Sequence, residues 1–126
     1  MKKNILLLLL TFFTLSTFSQ KKEAVFKDGE WLRYKMSYSG FFRAGTAVLK
    51  LEEKELNGKK VFHSTGTGWT SGLIKWFFKV SDKYESYFDK DTIKPYLFKR
   101  KINEGGYKKN INTTFNYQTK KSTVQD

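Results

Sequence analysis

Side chains that move protons, bind metals or attack carbonyl carbon are scarce in this chain. It has no cysteine and one histidine, His63. A metal centre needs clustered His, Cys or carboxylates, so the sequence assigns no metal ligands. A Ser-His-Asp relay would have to use His63, and no Gly-x-Ser-x-Gly elbow accompanies it. The nearest approach to a glycine-rich phosphate loop is Gly66-Thr67-Gly68, and Ser71 stands where the third glycine belongs. What remains is carboxylates: Asp82, Glu85 and Asp89 close in sequence, and Glu30 and Glu104 beside turn signals. Two carboxylates about 5–10 Å apart can hydrolyse a glycosidic bond. Any β-rich protein offers such pairs, and surface acids beside lysines are ordinarily solvated charges. The sequence therefore assigns no catalytic residue and no cofactor. Asn112-Thr113-Thr114 matches a glycosylation acceptor, which matters only in a eukaryotic secretory route.

Two non-catalytic groups stand out. Trp69, Leu73, Trp76, Phe77 and Phe78 flank a glycine-rich bend. Core packing accounts for such a set, and the functional reading makes them the apolar wall or lid of a ligand pocket. The second group is basic: Lys99, Arg100, Lys101, Lys108 and Lys109, with Lys59 and Lys60 as further contacts. The net charge is +12, and removing Lys2 and Lys3 leaves +10. Scattered lysines keep a sheet soluble and protect its edges. They also attract anionic lipid or polysaccharide. Nucleic acid is the usual partner of such a charge, but the amino terminus argues against it.

That terminus is a short basic head, Met1-Lys2-Lys3-Asn4, followed by an apolar run from Ile5 to Leu15. Thr17 and Ser19 supply small residues at signal-peptidase spacing. The pattern predicts a signal peptide over 1–19 with cleavage before Gln20. Thr11, Thr14, Ser16 and Thr17 break the run short of the roughly 20 apolar residues of a spanning helix. The expected location is the periplasm, the outer envelope or the extracellular space, and the expected mature chain has no transmembrane span. It is a single β-rich domain over 20–126. Without cysteine it has no disulfides to compensate for small size. Its stability must come from apolar packing, for which the nine Phe of 20–126, among twelve in the chain, supply material.

The elements that must position these residues are strands. Leu32, Tyr34, Met36 and Tyr38 alternate with Arg33, Lys35 and Ser37, the period-two pattern of a half-buried strand. A second strand spans 44–56. Asn57-Gly58 is a strong hairpin signal, and the return strand spans 59–67. Ser71 is a candidate N-cap of one short helix to Phe78, with a continuing strand as the alternative. Further strands cover 80–88, Pro95 to Ile102 and 107–117, and the polar tail 118–126 is expected to fray. This gives about six strands in an antiparallel sheet.

Four stretches resemble a known family. They are Gly29-Glu30-x-Leu32-x-Tyr34, Ala44-Gly45-Thr46-Ala47, Phe78-Lys79-Val80-Ser81-Asp82-Lys83-Tyr84-Glu85-Ser86-Tyr87, and Pro95-x-x-Phe98-x-Arg100-x-Ile102-x-Glu104-Gly105-Gly106-Tyr107. Together they resemble the domain-of-unknown-function family 3108 of Gram-negative envelopes, over Gly29 to about Tyr117. The resemblance implies an exported β-sheet protein with no assigned activity, whose curved sheet is similar to the half-barrel of lipoprotein carriers. Family domains are generally longer, which implies that this chain is the amino-terminal part of a larger sheet, incomplete at its carboxyl end.

Three functional readings follow. The first is a non-enzymatic envelope protein whose curved, half-barrel-like antiparallel sheet holds a lipid-like, apolar or amphipathic ligand. The second is a structural or interaction module that meets an envelope protein or an anionic surface through a basic face or a sheet edge. The third is a glycan-acting enzyme using Glu30, Asp82 or Glu104.

Overall fold

The structure is a computed structural model that describes residues 25–40 and 42–126. The expected signal peptide, with its cleavage site, lies outside the described residues. Seven strands form one sheet in sequence order: β1 (Trp31–Tyr38), β2 (Phe42–Leu56), β3 (Lys59–Thr70), β4 (Ser81–Phe88), β5 (Pro95–Glu104), β6 (Tyr107–Asn116) and β7 (Lys121–Gln125). Every neighbouring pair is antiparallel. The sheet is open, with β1 and β7 as its edges. No helix of the described residues is long and apolar enough to cross a membrane.

Local chemistry sets the turns. Asn57 and Gly58 both carry positive φ, 51° and 77°, as a tight turn between twisted strands requires. The β5–β6 link uses Gly105 and Gly106 at 56° and 96°. Register shifts at Met36/Ser37 and Tyr87/Phe88 add local twist.

Two expectations need correction. The tail does not fray. Asn116 Oδ1 accepts hydrogen bonds from the backbone N–H groups of Gln118 and Thr119, each at 3.0 Å, and Lys120 takes φ 53°. This side-chain-capped turn returns the chain as β7 against β6. The helix is also smaller than expected. It is α1 (Ile74–Phe77), one turn, and Leu73 rather than Ser71 occupies its N-cap. The Ser71 hydroxyl caps nothing; its N–H instead extends the β2 pairing by donating to the Ala44 carbonyl at 3.0 Å.

Cross-strand register sorts the side chains into two faces. One is rich in Lys, Arg, Thr and Asn, and the other carries most of the bulky apolar residues. At one end the apolar face is closed. Leu51, Phe62 and Phe88 are buried there, and Phe26 packs on them. Ring centroids in the Phe26–Phe62–Phe88 trio lie 5.8–6.3 Å apart. Such pairs contribute about 0.5–1.5 kcal/mol each beyond burial. The segment before β1 is pinned over this cluster by backbone bonds from Gly29 N–H to Leu51 O and from Leu51 N–H to Glu30 O, both 2.9 Å. Asp28 Oδ1 adds a bond from the Glu53 N–H at 2.6 Å.

Candidate functional site

Beyond that closed end the apolar face is uncovered among the described residues. One register line crosses six strands: Leu32, Leu49, Gly66, Tyr84, Arg100 and Ile111. A parallel line runs Tyr34, Ala47, Gly68 and Asp82. The centre of the face is built of small residues, with bulky ones on either side. At Gly66 a side chain would press on Leu49 Cδ2 at 3.3 Å, whereas at Gly68 it would meet nothing within 4 Å. β3 thus gives the face a smooth trough, for which its glycines leave room. A concavity of about 430 Å³ opens where this floor meets the closed end, bounded by Phe26, Leu32, Leu49, Leu51, Gly66 and Phe88. That volume lies within the range of small-molecule sites. The strand pattern that predicted β1 placed Leu32, Tyr34 and Met36 on one side correctly. They are nevertheless 52%, 51% and 48% exposed, because nothing described covers that side.

The aromatic candidates lie elsewhere. Trp69 is on the opposite face, in register with Thr46 and Ser81. Leu73 lines a separate concavity of about 390 Å³ with Tyr38, Phe42, Arg43, Gly72 and Ile74. Trp76 and Phe77 project from α1, each 88% exposed. Phe78 closes over the β5–β6 turn, where a side chain at Gly105 would strike its ring. These five residues do not converge on one cavity, because a helix of one turn cannot turn Trp76 and Phe77 back onto the sheet.

The basic candidates divide by strand alternation. Lys99, Lys101 and Lys108 sit in register with Asn112, Asn110 and Asn103 on the polar face. Arg100 and Lys109 are in register with Ile111 and Ile102 on the apolar face. Lys109 Nζ is paired with Asp126 at 2.9 Å, which raises its pKa. Lys59 is committed to structure: it bridges Asp89 at 2.8 Å and donates to Tyr96 Oη. Lys60 stands exposed on β3.

Two polar clusters were not legible in the sequence. Asp89 accepts from Lys59, from the N–H of Asp91 and Thr92, from Thr92 Oγ1 and from Tyr96 Oη, all within 2.8–3.1 Å. Lys59, then the Thr92 N–H and Tyr96, hold its carboxyl well below the usual carboxylate range. On the polar face Glu85 lies 3.1 Å from both His63 Nε2 and Lys83 Nζ. Burial pushes the Glu85 carboxyl up, but the bonds from Lys83 and His63 outweigh it, and the net shift is downward. His63 stacks on Tyr87 at 4.2 Å, and its Nδ1 is buried without a partner. The acid candidates are tied down in part. Glu30 accepts the Lys27 N–H at 2.6 Å and Asp82 accepts the Asn103 N–H at 3.0 Å. The neighbouring Asp82, together with burial, raises the Glu104 pKa, and Arg100 acts against that rise.

Residues 33–126 match the model of a family described as a protein of unknown function, DUF3108. No curated protein and no solved structure matches the chain.

Proposed function

Since the chain belongs to the DUF3108 family, whose description assigns no activity, we propose its function from its geometry: it is a non-enzymatic exported protein of the cell envelope that holds an apolar or amphipathic ligand on the open half of its sheet. The observation that carries this reading is the trough of Ala47, Gly66 and Gly68 between the β1 side chains and Tyr84, on a face whose other end is closed by Phe26. Bulky apolar side chains left half exposed around an empty groove mark a binding surface rather than a core. The export half of the proposal rests on the basic head and apolar run of residues 2–15. Amino-terminal sequencing of protein recovered from the envelope fraction should begin at Gln20, and a retained Met1 would reject it.

The groove is tested by titrating the mature protein with a fluorescent long-chain alcohol, with Gly68→Leu as the variant. The new side chain enters open space at a strand position of ordinary φ, and leucine suits a strand better than glycine. Binding should be saturable in the wild type and at least about tenfold weaker in the variant, a loss of about 1.4 kcal/mol, with thermal stability kept or raised. Equal binding by both proteins would remove the groove as the site.

A second reading, an interaction module, is supported by the lysines of the polar face. It predicts association with anionic surfaces that weakens steeply with salt, and salt-insensitive association would reject it.

A further inference from the structure

The register line that crosses the trough contains one charged residue. Leu32, Leu49, Gly66 and Tyr84 lead directly to Arg100, and Ile111 follows it. Strand alternation put Arg100 on this face where an apolar residue would serve the sheet. Its neighbours in register are uncharged: Tyr84 lies on one side, Ile111 on the other, and Phe98 and Ile102 occupy the next same-face positions along β5. Arg100 makes no ion pair among the described residues, and its Nε is buried with no hydrogen-bond partner. A buried guanidinium donor left unmade is costly, and such a group calls for an explanation. The other charges of that region do not pair with Arg100 among the described residues. Lys109 is bound to Asp126, Asp82 accepts the Asn103 N–H, and the Glu104 carboxyl, raised in pKa by Asp82 and burial and lowered by Arg100, forms no ion pair with the guanidinium.

We infer that the ligand of the open face is a single-chain amphiphile with an anionic head group, its chain lying along the trough and its head group held by the guanidinium of Arg100. This rests on the ligand-binding reading above and gives it a chemical class. From Leu32 to Arg100 the line spans four inter-strand spacings of about 4.8 Å each, a length suited to a long acyl chain. A chain lying there would cover Leu32, Leu49 and Tyr84, which are 52%, 45% and 38% exposed. A carboxylate or phosphate at its end would meet the planar donor fork of arginine, which binds such oxyanions bidentately. The fork would then be satisfied on a partly desolvated face, where an ionic hydrogen bond is stronger than in water.

The test compares three probes that share one pyrene-labelled sixteen-carbon chain: the carboxylate, the alcohol and the trimethylammonium. Each is titrated against the mature wild type, Arg100→Gln, Arg100→Lys and Lys99→Gln. The wild type should bind the carboxylate at least about tenfold more tightly than the alcohol, with the ammonium weakest, each tenfold step being about 1.4 kcal/mol. Arg100→Gln should abolish the preference for the anion while leaving the alcohol affinity unchanged, which also shows that the variant is folded. Arg100→Lys should keep part of the preference, since lysine retains the charge and loses the fork. Lys99→Gln removes the same charge from the opposite face and should change nothing. If the wild type binds alcohol and carboxylate equally, or if Arg100→Gln keeps the preference, the head-group inference is overturned and the apolar-ligand reading survives. If Lys99→Gln lowers the preference as much as Arg100→Gln, diffuse positive charge is responsible and the inference falls. If no probe binds saturably, both readings fall together.

Discussion

The two ends of the apolar face are built by the same strands and treat their side chains in opposite ways. At the closed end Phe62 and Phe88 are 5% and 8% exposed beneath Phe26. Beside them the Asp89 carboxylate accepts hydrogen bonds from Lys59, Asp91, Thr92 and Tyr96. At the open end Leu32 and Tyr34 are half exposed, and the one guanidinium on the floor has an orphaned Nε. The closed end has the properties of a core: apolar groups covered and polar groups paired. The open end has the same residue types with both conditions unmet. The difference lies in the segment before β1. Its bonds to Leu51 and Glu53 bring Phe26 over one end of the face.

Three measurements sharpen or break that contrast. The largest effect is expected at the closed end, where Phe62→Ala should lower the unfolding free energy by about 3–5 kcal/mol. Leu32→Ala at the open end should cost no more than about 1 kcal/mol, because a half-exposed side chain has little burial to lose. Both are read from urea denaturation midpoints, and equal losses would show that the open end is packed in solution.

The next effect concerns Asp89. Its pKa is depressed in the folded chain by Lys59, Thr92 and Tyr96. Its contribution is therefore fully present above the ordinary Asp value of about 3.9, and is lost as pH falls through that value toward its folded pKa. Asp89→Asn should lower the melting temperature at pH 7 and flatten the decline of stability below about pH 4. A variant with the same acid slope as the wild type would show that the cluster is not formed.

The smallest effect is at the terminal hairpin. Tyr117 Oη donates to the Pro95 carbonyl at 2.9 Å on an exposed surface. Tyr117→Phe should cost about 0.5–1 kcal/mol. A loss well beyond that would mark the β6–β7 turn as part of the cooperative core.

The sequence determined the strands and their faces. Alternation in residues 32–38, Asn57-Gly58 and Gly105-Gly106 are local signals, set by side-chain period and by the need for positive φ, and β1, β2, β3, β5 and β6 follow them closely. The family was legible too, in motifs that span most of the matched residues 33–126. β7 was missed because its signal was a single side chain, the Asn116 carboxamide, turning a polar tail that carries no apolar alternation. The candidate site was missed for a different reason. Alternation says which residues share a face of one strand, but not which face stays open, nor which residues of six strands stand in line. Lys99, Arg100 and Lys101 read as one basic run, and register alone divides them, two to the polar face and one to the trough. Likewise Gly66 and Gly68 read as part of a glycine-rich bend, and only their alignment with Leu49, Ala47 and Tyr84 makes them a floor. Periodicity is a property of neighbours in sequence. The cover over Phe62, the opening over Gly68 and the unpartnered Nε of Arg100 are properties of residues far apart in the chain, and only tertiary pairing brings them together.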